Sequence, residues 1–430
     1  MKVLAYTSPA RGHLYPLLGI LTELVSRGWE CVAYMLAGEL VHVQSVGAIG
    51  CGIDPRLERI ELEDWRAPSP RAAIRSALET FGERARLEGP DLERALDSHD
   101  PDLLLIDINC WGAATVAERS GRPWAIYSPY LLPLPSDDAP PYGPGLRPLG
   151  GPAGRVRDAL VRRLVSGAFD RTAVAGVNAV RAAYGLPPLA TFGELLTRPP
   201  LLLALTAEGF EYPRRDWPHN VRLVGPVHWS PPADTAVGVD HLDDPLVLVT
   251  CSTERQDDRQ LIDVALEALP PVGFSVIATT AAHDPETFTA PPGTKVARFI
   301  PHDQVLERAG CVICHGGMGI TQKALAAGVP VVAVPFGRDQ LETARRVEVA
   351  RAGVRLPRRR LNGARLAHAV RAAIDQRDGA ATVSRAYQTA GRARAAADVL
   401  HALARAPAST TRAPASTRPL GSSPPDLRPT

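Results

Sequence analysis

The segment CVICHGGMGITQKALAAG, residues 311–328, has the pattern of a strand, a tight turn and a helix. Its first residues form an apolar run typical of a buried strand, and the pattern after the turn is helical up to Gly328. Three glycines follow His315, where they would let backbone N–H groups at the helix N-terminus approach an anion that the helix dipole attracts. The segment therefore predicts a phosphate site, although tight packing of the helix on the strand would also favour glycines.

The spacing differs from two other phosphate-binding motifs. Lys323 does not follow a glycine, as the lysine of a Walker loop does, and a dinucleotide fingerprint would follow the first strand of its domain. The turn after the first predicted strand of the chain, SPARGH (8–13), also lacks the glycine spacing of a dinucleotide site. The sequence therefore disfavours a Rossmann-type oxidoreductase.

Outward from this segment, strand and helix patterns alternate in both directions. The predicted strands lie at 246–250, 274–280, 295–300 and 329–335 in the second half, and at 3–7, 31–36, 102–107 and 124–128 in the first. Such alternation requires parallel sheets covered by helices. Because 430 residues exceed one ordinary core, we expect two α/β domains that share a crevice at the carboxyl ends of their strands.

Composition marks the domain boundaries. A polar, Pro-rich stretch separates the two halves, and the C-terminus is rich in Pro, Ser, Thr and Arg. We expect an N-terminal domain over 1–228, a linker over 229–245, a C-terminal domain over 246–403 and a disordered tail over 404–430.

Charge and cysteine content exclude several classes of protein. The 48 Lys and Arg residues nearly balance the 46 Asp and Glu residues, with no basic block that would bind nucleic acid. No run approaches the length of a membrane span, and the N-terminus lacks the apolar length of a signal peptide. The six cysteines are scattered, and Cys311 and Cys314 lack a second ligand pair for a metal. We therefore expect a cytoplasmic protein with reduced thiols.

Two motifs carry a family resemblance: RGHLYPLL (11–18) and FIPHDQVLERAGCVICHGGMGITQKALAAGVPVVAVPFGRDQLETARRVE (299–348). With the two α/β halves, they resemble the family 1 glycosyltransferases of GT-B fold, especially actinobacterial enzymes that glycosylate natural products. The likeness extends to about residue 404. It implies two Rossmann-like domains facing a central cleft, and transfer of a sugar, with inversion, from a nucleoside diphosphate to an acceptor hydroxyl.

His13 is the candidate general base. A poorly nucleophilic hydroxyl must lose its proton as it attacks the sugar, and a neutral imidazole suits that step near pH 7. The resemblance implies that Asp107, at the end of a later strand, orients the imidazole and stabilises its charged form. The alternative is a purely structural pair, with His13 opening a helix and Asp107 capping a strand.

The resemblance places the donor in the second half of the chain. It implies diphosphate contacts from His315, Gly317, Met318, Gly319, Thr321, Ser252 and Thr253, contacts near the base from Phe299, Ile300, His302 and Gln304, and sugar contacts from Asp339 and Gln340. The sequence departs from the family pattern at three places. No glycine precedes Thr253, Phe299 stands where many relatives have a tryptophan, and this chain has Glu342 and Thr343 where relatives commonly have an asparagine nearby. Asp339 and Gln340 could also merely begin a helix.

The scheme implies no metal or other cofactor, because His315, the helix dipole and backbone N–H groups could neutralise a leaving diphosphate. Trp111, Tyr130 and Tyr142 are the candidate acceptor contacts, which favours a small hydrophobic aglycone. We expect a TDP-deoxyhexose donor first and UDP-glucose second, with a homodimer as a further possibility. Two other classes stay open: a GT-B sugar-nucleotide epimerase, and a non-catalytic sugar-binding module.

Overall fold

Two parallel β-sheets form the framework of the chain. In the computed structural model, which describes residues 1–231, 242–253 and 256–406, one sheet lies in the N-terminal half and one in the C-terminal half. The prediction of two parallel-sheet domains is therefore confirmed.

The N-terminal sheet has seven strands: β1 (Lys2–Tyr6), β2 (Glu30–Met35), β3 (Ile49–Gly52), β4 (Leu103–Asp107), β5 (Trp124–Ser128), β6 (Leu201–Ala204) and β7 (Val221–Leu223). Their spatial order is β3-β2-β1-β4-β5-β6-β7, and every pairing is parallel. The helices are α1 (Arg11–Ser26), α2 (Leu40–Ser45), α3 (Pro55–Arg59), α4 (Pro70–His99), α5 (Trp111–Ser120), α6 (Gly151–Ala183) and α7 (Phe192–Thr197).

The C-terminal sheet has six strands: β8 (Leu246–Thr250), β9 (Ser275–Thr279), β10 (Thr294–Ala297), β11 (Ala309–Cys314), β12 (Val331–Ala333) and β13 (Gly353–Arg355). Their order is β10-β9-β8-β11-β12-β13, again all parallel. The helices are α8 (Gln260–Ala268), α9 (His302–Leu306), α10 (Met318–Ala326), α11 (Gln340–Val349), α12 (Gly363–Ile374), α13 (Arg377–Thr389) and α14 (Arg392–Arg405).

Helices on both faces of each sheet explain the apolar runs of the sequence. Every residue of β4 (LLLID) and of β11 (AGCVIC) is buried, including the polar Asp107. A strand covered on both faces cannot alternate apolar and polar residues, so it reads as a continuous apolar run. The polar residues that end such runs are therefore at the sheet edge where ligands bind.

Each sheet reverses its strand order at one place, between β1 and β4 in the first domain and between β8 and β11 in the second. At such a switch point the connections leave to opposite sides, which opens a crevice at the carboxyl ends of the two strands. His13 follows β1 and Asp107 ends β4, while Ser252 follows β8 and His315 follows β11. The topology therefore brings each pair to a crevice.

The C-terminal helix α14 packs on the first domain, although its sequence position suggests the second. Its buried residues Ala396, Ala397 and Leu400 share a core with α1, and Arg27 pairs with Asp398 at 2.6 Å. The predicted C-terminal domain of 246–403 thus ends in a helix that belongs to the packing of the N-terminal domain.

Parts of two predicted segments lie outside the described residues. These are 232–241 of the predicted linker and 407–430 of the predicted tail, while α14 continues to Arg405, beyond the predicted domain end. Within the described ranges, no helix combines the length and the apolar character that crossing a membrane requires.

Candidate active site

The histidine and aspartate predicted as a pair do meet. His13 lies in the first turn of α1, and its Nδ1 is 2.8 Å from Asp107 Oδ2 and 3.0 Å from Oδ1. The Asp107 side chain is fully buried, whereas 15% of the His13 side chain is exposed. The pair therefore has a buried carboxylate and an accessible imidazole edge.

The surroundings of Asp107 keep its carboxylate ionised. Oδ2 accepts hydrogen bonds from Thr7 Oγ1 (3.0 Å), Ser8 Oγ (3.0 Å) and the Ser8 backbone N–H (3.3 Å), and Oδ1 accepts from the Asn109 N–H (2.8 Å). Burial alone would raise the pKa of Asp107, but His13 and these donors lower it below its usual value. Because an ionised carboxylate only accepts, the neutral imidazole places its proton on Nδ1, and Nε2 is the ring nitrogen that carries the lone pair.

Asn109 is a neighbour of the base that the sequence did not indicate. Its amide Nδ2 lies 3.5 Å from His13 Nε2, and its Oδ1 accepts a 2.7 Å hydrogen bond from the Tyr130 hydroxyl. Tyr130 also meets His13 edge-on, with ring centroids 5.7 Å apart. The position of Asn109, two residues after a strand-ending aspartate, is the signal that could have identified it.

In the second domain, His315 lies over the N-terminus of α10. Gly316 has a φ of +85°, and a Cβ on Gly317 would overlap His315 Nε2, so the turn requires glycine at both positions. Burial lowers the pKa of His315 to about 4, which keeps the imidazole neutral near pH 7. Its Nδ1 makes no hydrogen bond within the described residues and lies 4.0 Å from Asp258 Oδ2.

Asp258 organises the loop that faces His315. Its Oδ2 accepts a 2.6 Å hydrogen bond from the Ser252 N–H, and its Oδ1 lies 3.1 Å from His283 Nε2. Cys251, Asp258 and His283 place possible metal-ligand atoms within 4.8 Å of one another. The Asp258 carboxylate already pairs with the Ser252 N–H and with His283 Nε2, and burial raises the pKa of the Cys251 thiol. These three residues therefore hold the loop together.

The residues predicted to contact the nucleobase of the donor occupy different environments. Phe299 is 57% exposed after β10, as a ring that stacks on a base requires, while Ile300 is buried in the core of the second domain. His302 Nε2 is 3.1 Å from Thr279 Oγ1, and burial lowers the pKa of His302 to about 4. Gln304 and Thr253 are both exposed.

Two predicted diphosphate contacts point into the protein. Thr321 is fully buried with its hydroxyl 3.6 Å from Cys314 Sγ, and Met318 is buried with its sulfur 3.7 Å from Thr343 Oγ1. Gly319 has open space where a Cβ would stand. As placed, Thr321 does not direct its hydroxyl to the cleft, and α10 offers backbone N–H groups instead.

The two predicted sugar-reading residues also differ. The Gln340 amide is used inside the protein: Oε1 accepts from the Phe336 N–H (2.8 Å) and the Gly337 N–H (3.1 Å), and Nε2 donates to Gln256 Oε1 (2.6 Å). Asp339 lies in the electrostatic field of His13: burial raises its pKa, while Arg338 and His13 lower it. Asp339 is thus a partly exposed carboxylate near His13, and Gln340 shapes the loop that follows β12.

The structure separates the three predicted acceptor contacts. Tyr130 lies beside His13, and Tyr142 packs where the first domain meets the core of the second. Trp111, predicted to contact the acceptor, lies instead in the core. It is only 1% exposed, and the Phe81 and Phe192 rings are 5.6 and 5.4 Å away. A large ring at the start of α5 has the same sequence signature in a core as at a pocket.

Two Rossmann-like domains, with a His–Asp pair at one switch point and a glycine-rich helix N-terminus at the other, are the arrangement of a glycosyltransferase of the GT-B architecture. Residues 264–402 match the family model described as the C-terminal domain of erythromycin biosynthesis protein CIII-like proteins. The chain is 33% identical over 389 residues to 4'-demethylrebeccamycin synthase of Lentzea aerocolonigenes, over 87% of this chain and 92% of that protein. The chain thus belongs to the actinobacterial natural-product glycosyltransferases, which confirms the family resemblance.

Solved structures agree on the fold. The glycosyltransferase of kitacinnamycin matches with a TM-score of 0.71 at 20% identity, over 94% of this chain and 98% of that chain. The glycosyltransferase VinC in complex with dTDP matches with a TM-score of 0.66 at 18% identity, over 94% of this chain and 99% of that chain.

Proposed function

We propose that this glycosyltransferase transfers a hexose, with inversion at its anomeric carbon, from a nucleoside diphosphate to a hydroxyl of a small hydrophobic aglycone. The observation that carries this proposal is the His13–Asp107 pair, in which a buried carboxylate holds Nδ1 of a partly exposed imidazole whose charge acts on Asp339 of the other domain. Nε2 accepts the hydroxyl proton while the acceptor oxygen attacks C1. The bond from C1 to the β-phosphate oxygen breaks, and the nucleoside diphosphate leaves with the bonding electrons.

The leaving diphosphate would lie at the N-terminus of α10. Backbone N–H groups of that turn and the helix dipole favour its negative charge, and His315, kept neutral by burial, can donate one N–H. This arrangement supports transfer in which residues of this chain stabilise the leaving group without a metal or other cofactor.

We favour TDP-deoxyhexose as the donor and UDP-glucose as the second candidate. The Gln340 side-chain oxygen accepts hydrogen bonds from the Phe336 and Gly337 N–H groups. Of the two residues expected to contact the sugar, we therefore assign that contact to Asp339 alone. A sugar with fewer hydroxyls leaves fewer buried polar groups without partners, which would otherwise cost about 1–3 kcal/mol each. The structural relative VinC was solved with dTDP, which agrees with this choice.

The first domain offers an acceptor site bordered by Tyr130 and Tyr142. Burial raises the pKa of both hydroxyls, so both tyrosines stay neutral and present apolar rings. A small, largely apolar aglycone with one hydroxyl near His13 fits such a surface.

The test is to incubate the protein with TDP- and UDP-sugars and a panel of hydroxylated aglycones. We expect nucleoside diphosphate to appear only when an acceptor is present, and NMR of the product to show an inverted anomeric centre. His13→Ala is the matched control and should slow acceptor-dependent release about 10²–10⁴-fold. Release without acceptor would instead indicate epimerase-like or hydrolytic chemistry, and a retained configuration would contradict direct displacement.

A further inference from the structure

The loop between β5 and α6, residues 129–150, is tied to a helix of the other domain. We call it the acceptor loop because it carries Tyr130 and Tyr142. The backbone N–H groups of Gly143 and Gly145 both donate to Glu342 Oε1 on α11, at 2.8 and 2.7 Å. Two chain amides thus converge on one carboxylate oxygen across the domain boundary.

Glu342 is itself held by a buried charge network. Its Oε2 accepts a 2.8 Å hydrogen bond from Arg346 Nη1, and Arg346 Nε donates to Glu211 at 2.8 Å. All three residues are at most 5% exposed, and Tyr212 lies against the guanidinium at 4.1 Å. Although burial alone would lower the pKa of Arg346, Glu211 and Glu342 hold it above its usual value. Because both carboxylates share one cation, the Glu342 oxygen that faces the loop keeps a fixed place.

The loop meets α11 closely enough to require glycine. Gly145 has a φ of +60°, and a Cβ there would overlap the carbonyl oxygen of Leu341. Arg345 Nε donates to the Gly145 carbonyl at 2.9 Å, so both polar groups of this peptide segment are paired with α11. The backbone of the loop at Gly145 thus contacts α11 in one fixed position.

The same helix begins at the donor sugar position. Asp339 immediately precedes α11, and Tyr142 lies close enough that, after burial, the Asp339 charge is the largest cause of its raised pKa. One rigid helix therefore has the sugar-facing carboxylate at its start and the anchor of the acceptor loop one turn later.

We propose that Glu342 is a positioning residue that fixes the acceptor loop on the donor helix and so makes acceptor binding depend on the position of the donor domain. The proposal rests on the proposed function for the nature of the two substrates. By thermodynamic linkage, the factor by which bound donor changes the affinity for the acceptor equals the factor by which the acceptor changes the affinity for the donor, and the proposal assigns this coupling to the Glu342 contact.

The test compares Glu342→Ala and Glu342→Gln with the surface control Glu267→Ala on α8. In Glu342→Ala, hydrogen exchange at the amides of Gly143 and Gly145 should accelerate at least tenfold, and the acceptor KM should rise about tenfold. The Kd for the nucleoside diphosphate alone should stay within twofold. Glu342→Gln keeps an oxygen for both amides, so it should restore most of the exchange protection and the acceptor KM.

Gly145→Ala provides an independent variant should Glu342→Ala fail to fold, since it disturbs the loop while leaving the buried charges in place. It should reproduce the raised acceptor KM. Unchanged exchange at the two amides in Glu342→Ala, or donor and acceptor affinities that fall equally, would overturn the proposal. The exchange measurement needs no turnover, so its result stands apart from any failure of the proposed reaction.

Discussion

Asp107→Asn should remove the negative charge that stabilises protonated His13 while keeping the shape of the site. Oδ2 of Asp107 accepts three hydrogen bonds from Thr7 and Ser8, so the carbonyl oxygen of an asparagine must occupy that place. Its NH2 then occupies the Oδ1 place, against the Asn109 N–H at 2.8 Å and His13 Nδ1 at 3.0 Å. Nδ1 also lies 2.8 Å from the Oδ2 place, so it can still donate to the asparagine oxygen, but the imidazolium that forms when His13 takes the acceptor proton loses the anion that stabilises it.

The magnitude follows from the lost general base. A positioned general base contributes about 10²–10⁴ in rate, or about 3–5 kcal/mol of barrier, and the loss of the anion that stabilises its charged form opposes that contribution. The variant also opposes its NH2 to the Asn109 N–H, an unsatisfied buried pair that should cost about 1–3 kcal/mol of folding stability. We therefore expect kcat to fall about 10²–10⁴-fold, with a modest loss of stability and an unchanged donor Kd.

The assay is acceptor-dependent release of nucleoside diphosphate for Asp107→Asn, His13→Ala and the double variant, with donor affinity measured by titration. Because the two residues act as one unit, the double variant should lose little more than either single variant. Asp91→Asn is the matched control: Asp91 is a buried carboxylate that accepts from the Tyr6 hydroxyl, and its loss should reduce stability without reducing kcat. Near-normal kcat in Asp107→Asn, or multiplicative losses in the double variant, would refute the assigned roles.

Two further predictions concern the sugar and acid stability. Asp339→Ala should lose kcat/KM most on donors that keep the contacted hydroxyl, whereas Gln340→Ala should lose it equally on all donors, because its amide faces inward; kinetics with a donor and its deoxy analogues separates the two. Burial lowers the pKa of His228 to about 3 and of His302 and His315 to about 4. Between pH 6.5 and 4 the unfolded chain therefore binds protons that the folded chain does not, so each histidine should cost about 1.4 kcal/mol of stability per unit of falling pH. Urea unfolding at pH 7 and 5 measures this slope, and His228→Gln should reduce it by about one proton; an unchanged slope would contradict the buried, neutral state.

Sequence reasoning succeeded where burial dictates the pattern. The strands around Asp107 and His315 are apolar throughout because helices cover both faces of each sheet, so their polar ends were visible in the sequence. The sequence did not indicate whether a polar side chain of a helix or loop faces the cleft or the protein interior. Gln340 turns inward because the Phe336 and Gly337 amides need an acceptor, which is a long-range packing decision. Likewise, the sequence analysis assigned the residues of α14 to the second domain and did not find that they pack on the first.

The residues of the predicted site are divided between the two domains. His13 belongs to the first domain and the N-terminus of α10 to the second, so the proposed function needs both domains for a complete site. Contacts between them are made by buried polar groups: Arg338 pairs bidentately with Asp64, and Gln322 donates to the Leu205 carbonyl at 2.7 Å. Arg338 directly precedes Asp339, so the ion pair that joins the domains also fixes the loop that faces the sugar. Groups held this way are directional, and a shift between domains breaks them rather than stretching them. These contacts therefore fix the position of His13 relative to the N-terminus of α10, and the proposed reaction depends on that relative position.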